Sequence, residues 1–208
     1  MTNKLVIMFH GVGSNGRDLL PIAQYWQRQI EDLSIASPNA PFPFMHSHEV
    51  FEWFSLTGIT EENRFERIQQ AREYFDQTVQ RILEEQGFAD RLNQVVFCGF
   101  SQGTMMSLDA VASGRWPIAA VIDFSGRLAS PIEANANNTA KVSLMHGEAD
   151  EVIPVYESQD AFKALRAAGF NVELETYKGL GHSINELELK RGLEFFKNTL
   201  MRIKARDD

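Results

Sequence analysis

"VVFCGFSQGTMMSLDAVAS", residues 95–113, joins an apolar run of strand length to a run that favours helix. The hinge between them is Ser101, with Gly99 and Gly103 on either side. Gly-x-Ser-x-Gly at a strand-to-helix junction has a physical rationale. A strained turn pushes the hydroxyl clear of the sheet edge, and the missing side chains let helix and strand approach closely. The first N–H groups of the helix then face any negative charge that develops beside the serine. The same five residues could equally form a tight turn with a capping serine, so the partners that the rest of the chain supplies decide the reading.

Outward from this junction, apolar runs of strand length alternate with helical periodicity. Strands are predicted at 4–9 (KLVIMF), 95–100, 118–124 (IAAVIDF), 141–145 (KVSLM) and 172–177 (VELETY), with a weaker one at 33–38 (LSIASP). The middle runs are continuously apolar, as parallel strands covered on both faces must be. Four helical stripes lie between them: Leu19, Ile22, Trp26, Ile30 and Leu33; Phe65, Ile68, Phe75, Val79 and Ile82; Phe162 and Leu165; and Leu189, Leu193, Phe196, Leu200 and Ile203. Thr60 before Glu61 and Glu62 reads as an N-cap, and Gly87 and Gly169 stand where helices should stop. This alternation predicts an α/β fold with a mostly parallel sheet. Residues 129–140, rich in Ala and Asn, are expected to form a solvated loop.

A chain of 208 residues with 44% hydrophobic residues can bury a substantial core and is expected to fold as one domain over residues 1–208. Its net charge of −8, with acidic and basic residues intermingled, argues against nucleic-acid binding. The lone cysteine, Cys98, precludes an internal disulfide and suits a reducing, cytoplasmic setting. The apolar start, Leu5 to Phe9, is too short for a signal-peptide core, and no later run is long enough for a membrane span.

A serine hydroxyl needs a base, and the base needs an acid to orient it. Only His146 and His182 follow Ser101 in the chain. His182 lies in "KGLGHSINELEL", a glycine-lined loop between the last strand and the last helix, where a base can reach over the sheet edge. His146, at a strand end in "LMHGEADEVIP", reads as a structural residue. Asp150 in that same segment is the favoured acid, with Glu148 and Glu151 solvated beside it. Asp123, at the end of the preceding strand, is its rival. His-Gly-x-Gly at 10–13 places backbone N–H groups beside the elbow, so the amides of Val12 and Gln102 are candidates for an oxyanion hole. His10 reads as a structural hydrogen-bonder, and His46 and His48 lack the further ligands that a metal site needs.

Residues 38–60, "PNAPFPFMHSHEVFEWFSLTGIT", carry many aromatics and three prolines with no regular period. They leave the sheet at the same edge as Ser101. An ordered loop of this length either packs its rings on the domain or walls a groove for an apolar substrate group. Trp53 and Phe54 are the expected wall residues.

These motifs together resemble the carboxylesterase/phospholipase family of small α/β-hydrolases, which includes acyl-protein thioesterases. The resemblance runs nearly end to end, through "FHGVGSN", "EWFSL", "GFSQGTMMSL", "HGEADEVIPV" and "GLGHSI". It implies Ser101, Asp150 and His182 as catalytic residues and Val12 and Gln102 as the oxyanion hole. It also implies ester or thioester substrates, no metal or organic cofactor, and frequent homodimers. Peptidase or acyl-peptide hydrolase chemistry shares such a triad, and a hydrolase-like binding module is the non-catalytic alternative. Dienelactone hydrolases are similar in size and order but carry cysteine where this chain has Ser101.

Overall fold

The computed structural model describes residues 3–200. Six parallel strands form the central sheet: β1 (Lys4–Phe9), β2 (Leu33–Ala36), β5 (Val95–Phe100), β6 (Ala120–Phe124), β7 (Lys141–Gly147) and β8 (Asn171–Tyr177). Their spatial order is β2-β1-β5-β6-β7-β8. Two short strands, β3 (Phe42–Pro43) and β4 (Phe51–Glu52), pair antiparallel within the aromatic loop. The helices are α1 (Gly16–Gln27), α2 (Glu61–Gln86), α3 (Gln102–Ala112), α4 (Tyr156–Ala167) and α5 (Glu186–Leu200).

The continuous apolar strands serve both faces of the sheet. Alternation sends Leu5, Ile7 and Phe9 of β1 into one core, together with Phe75 of α2, Met106 of α3 and Leu165 of α4. Val6 and Met8 enter the other, against Trp26 of α1 and Phe196 of α5. All five of these β1 side chains are fully buried.

Local chemistry sets the helix ends. Thr60 and Asn63 form a reciprocal capping box at the start of α2, which ends at Gly87. Asn15 caps α1 by accepting from the Arg17 amide. The first helical stripe overreaches: α1 stops at Gln27, Ile30 lies in the following turn, and Leu33 opens β2. Both residues are nonetheless buried in the same core, so their spacing marks a shared face and not one continuous helix. Phe65 is half-buried beneath the Arg72 guanidinium, 5.5 Å from its ring centroid. Ile203 lies outside the described residues. The loop at 129–140 is only partly solvated: Ser130 and Ala140 are buried, Ile132 and Ala136 pack on the core, and Asn137 Nδ2 pins it by donating to the carbonyls of Trp116 and Ile118, each at 3.1 Å.

Two contacts fix α3 in place. Asp109, whose side chain is fully buried, accepts a two-point hydrogen bond from Arg72 of α2 and another from Arg115. Burial alone would raise its carboxyl pKa, but the bonds from Arg72 and Ser130 and the charge of Arg115 outweigh it and hold the group below its ordinary value. At the other end of the helix, Gly103 packs directly on β1. A Cβ there would stand 1.9 Å from the Phe9 carbonyl oxygen, and one at Gly99 would stand 2.6 Å from the Thr104 nitrogen. Gly103→Ala should therefore lower unfolding stability in urea by about 3 kcal/mol or more, because only rigid backbone could give way. Gly181→Ala, whose Cβ would meet nothing closer than the Ala149 oxygen at 3.8 Å, is the control and should change stability little.

Candidate active site

Ser101 sits between the end of β5 and the first turn of α3 with φ 55° and ψ −114°. A positive φ on a side-chain-bearing residue is strained, and its neighbours must hold it. The Ser101 amide donates to the Phe124 carbonyl of β6 at 3.1 Å, and Gly99 and Gly103 make the close approaches described above. The serine is 6% exposed.

His182, on the loop between β8 and α5, reaches this point. Its Nε2 lies 3.0 Å from Ser101 Oγ and its Nδ1 lies 2.7 Å from Asp150 Oδ2. Ionised Asp150 can only accept, so Nδ1 carries a proton and Nε2 is left free to accept from the serine hydroxyl. The Phe100 ring packs against the imidazole at 4.9 Å between centroids. Asp150 is fixed in turn, since its Oδ1 accepts from the amides of Val152 and Ile153, both at 2.9 Å. The arrangement can take a proton from Ser101 and hold it on an imidazole oriented by a carboxylate.

The rival acid occupies a different place. Asp123 lies beneath the elbow, where Oδ1 accepts from the Gly99 amide at 3.1 Å and from Ser107 Oγ at 2.7 Å. Burial outweighs these bonds and pushes its pKa well above the usual carboxylate range. On this side of β6 its carboxyl group braces the elbow through those two bonds. Glu148 accepts from Thr176 Oγ1, and Glu151 is exposed.

The loop at 10–13 passes beside the serine: a Cβ on Gly11 would lie 3.2 Å from Ser101 Cβ. Val12 is half-buried in this loop, and Gln102 is the first residue of α3. His10 is fully buried, with Nε2 accepting from the Ala40 amide at 2.8 Å and Nδ1 facing the Gly11 carbonyl at 2.7 Å. Burial lowers its pKa, and with both nitrogens engaged it serves the backbone.

Trp53 and Phe54 are 1% and 4% exposed and belong to the core. The indole packs edge-on to Phe9 and Phe75 and donates to the His10 carbonyl at 2.9 Å. Both residues also border a cleft of about 310 Å³, shared with Phe42, Ala71 and Tyr74. Sequence reasoning missed the device that holds them. The Gln102 side chain accepts from the Trp53 amide and donates to the Phe54 carbonyl, each at 2.7 Å, which ties the aromatic loop to the residue after the serine. The glutamine itself was legible; its partners, 48 and 49 residues away, were not. His46 and His48 are exposed on the β3–β4 hairpin.

Known proteins share this architecture. The phospholipase/carboxylesterase family profile matches residues 1–200. Esterase YpfH of Escherichia coli K12 is 30% identical over 197 residues, covering 95% of this chain and 83% of its own. Acyl-protein thioesterase 1 of Neurospora crassa is 25% identical over 222 residues, covering 98% of this chain and 89% of its own. The crystal structure of esterase PE8 superposes with a TM-score of 0.83 at 29% identity, covering 96% of this chain and 94% of that one. Arabidopsis thaliana SOBER1 superposes with a TM-score of 0.76 at 25% identity, covering 95% and 99%. With its six-stranded sheet, its serine elbow and these relatives, the chain belongs to the phospholipase/carboxylesterase family of α/β-hydrolases.

Proposed function

We propose that this protein is a serine hydrolase that cleaves carboxylic esters or thioesters of acyl substrates through an acyl-enzyme intermediate. The observation that carries the reading is the Ser101–His182–Asp150 chain, with contacts of 3.0 and 2.7 Å at a strained elbow. His182 Nε2 takes the hydroxyl proton as Ser101 Oγ bonds to the acyl carbon. The amides of Val12 and Gln102 receive the oxyanion, and loss of one such donor typically costs about 2.7–4 kcal/mol of transition-state stabilisation. Collapse breaks the bond to the alcohol or thiol, which leaves with the proton from His182. Water then repeats the sequence and frees the acid. No metal or organic cofactor enters any step. The lone Cys98, 1% exposed, fits action in a reducing cytoplasm, and the family resemblance carries with it a homodimer.

For the acyl group, the cleft beside Trp53 and Phe54 is the candidate surface. Their rings are too deeply buried to form its main wall, and Phe42 and Tyr74, edge to face at 4.8 Å, supply the more accessible part. Each methylene buried there adds roughly 0.8 kcal/mol, or about fourfold in kcat/KM. Activity should rise from acetyl to medium-chain p-nitrophenyl esters, and Phe42→Ala with Tyr74→Ala should flatten that rise. An unchanged chain-length profile in the double variant would move the acyl site elsewhere.

Ser101→Ala should abolish ester turnover and labelling by a fluorophosphonate while leaving the unfolding midpoint near that of wild type, since no core volume is lost. Labelling that persists in this variant would remove Ser101 from the reaction, and a wild-type protein that takes up no probe would favour the binding-module alternative. Asp150→Asn should lower kcat by up to about 10⁴-fold, because His182 loses the partner that fixes its tautomer. Asp123→Asn, which keeps a neutral acceptor beneath the elbow, should leave kcat within a few-fold of wild type. Kinetics in the reverse order would give the acid role to Asp123.

A further inference from the structure

His146 ends in the interior of the site and has no part in the proton path just described. It is fully buried on β7, and its Nε2 stands 2.8 Å from the Ile153 carbonyl oxygen and 3.2 Å from Asp150 Oδ2. Both neighbours are acceptors, so Nε2 must carry a proton. The one Nε2–H is shared: it donates to the Ile153 carbonyl, and Asp150 Oδ2, which already accepts from His182, lies close enough to feel it.

We propose that His146 is a positioning residue for the hydrolytic site: its Nε2–H, anchored on the Ile153 carbonyl and shared with Asp150 Oδ2, keeps that oxygen in line with His182 and draws part of the carboxylate charge away from the base. This inference rests on the hydrolase reading of Ser101, His182 and Asp150. A carboxylate stabilised by more donors binds any one of them less tightly. His146 thus sets how strongly Asp150 favours the protonated form of His182. It also completes the carboxylate's coordination, since Oδ1 already accepts from Val152 and Ile153.

The far side of the ring fits the same role. Nδ1 lies 2.6 Å from Ser158 Oγ of α4, and that hydroxyl lies 3.2 Å from the Gly126 carbonyl. When His146 is neutral, Ser158 donates to Nδ1. Were it cationic, Nδ1–H would donate to Ser158, which would turn to Gly126. Either way Nε2 keeps its proton, on the side of Ile153 and Asp150. Among the described residues, the titratable groups that act on the ring are Asp150, on the loop after β7, and His182, on the loop after β8; α4 and the segment after β6 bring the Ser158 hydroxyl and the Gly126 carbonyl to its far side. Burial is the main cause that lowers the pKa of His146, with the charge of His182 acting the same way against the Ile153 carbonyl and Asp150, so the neutral Nε2–H form is the resting one.

The test compares wild type, His146→Leu and His146→Gln, since glutamine can place an amide N–H near the position of Nε2 and leucine cannot. kcat/KM on p-nitrophenyl butyrate is followed from about pH 5 to about pH 9, where an imidazole base titrates. Loss of the donor strengthens the hold of Asp150 on protonated His182, so His146→Leu should move the midpoint of the acid limb upward by about half a unit or more. It should also lower kcat about tenfold with little change in KM, as expected when a group aligned for the transition state is loosened. His146→Gln should restore the wild-type midpoint. Equal kcat losses in both variants with the midpoint unmoved would reduce His146 to a packing residue and overturn the proposal. If the leucine variant does not fold, imidazole ¹⁵N NMR of the wild-type protein decides: a His146 Nε2–H resonance that shifts as His182 titrates supports the role, and an Nδ1–H tautomer or a resonance unmoved by that titration overturns it. Fluorophosphonate labelling is run beside both measurements. A wild-type protein that takes up no probe and turns over no ester overturns the hydrolase reading itself, and this inference with it.

Discussion

The close approach of α3 to the end of β1 governs the geometry of the site. At Gly103 the helix lies so near the Phe9 carbonyl that a single added carbon would collide with backbone. That contact leaves the chain between β5 and α3 one short path, and Ser101 adopts a positive φ in order to follow it. The strain is held in place by neighbours that cannot yield. The Phe124 carbonyl holds the serine amide, Asp123 holds the Gly99 amide, and Arg72 and Arg115 hold the far end of the helix through Asp109. A hydroxyl presented by a strained turn keeps a constant position because everything around it is rigid.

Two buried aspartates at the same edge of the sheet show how surroundings give one chemical group two different settings. Asp150 collects donors on both oxygens, two backbone amides on one side and the His182 imidazole on the other, with His146 Nε2 3.2 Å away. That coordination suits a carboxylate. Asp123 has an amide and a hydroxyl on one oxygen, and its other oxygen, Oδ2, is buried without a partner. Desolvation dominates there and the neutral acid is favoured. The two side chains end adjacent β-strand regions, so distance along the sheet does not separate them. The number of donors does.

Gln102 joins the Ser101 turn to the aromatic loop. Its amide group bonds both polar backbone groups that the 53–54 segment presents to it, and the Trp53 indole closes the circuit on the His10 carbonyl. The loop at 10–13, the first turn of α3 and the aromatic loop are thereby coupled through backbone hydrogen bonds, while the loop's own side chains fill the core. Rings buried in this way stabilise the wall of the adjacent cleft from behind.

The alternation of strand and helix, the two-faced strands and the order of serine, acid and histidine were all legible in the residues, because each depends on local spacing or on position along the chain. Thr60, Gly87 and the elbow glycines could be read for the same reason: capping and close approach demand particular residue types. Helix ends were less legible, since Ile30 and Leu33 keep the spacing of α1 after the helix has stopped. Spacing reports the face a residue buries and is silent on the backbone that carries it there. Which of Asp150 and Asp123 lies beside His182 needed the fold, because it turns on which groups converge on each carboxyl from distant segments. So did the aromatic loop, whose composition suits a groove wall and a packed core equally. Only tertiary contacts such as those of Asp150, Gln102 and His10 place these side chains, since hydrogen bonds between residues far apart in the chain leave no period and no motif in the sequence.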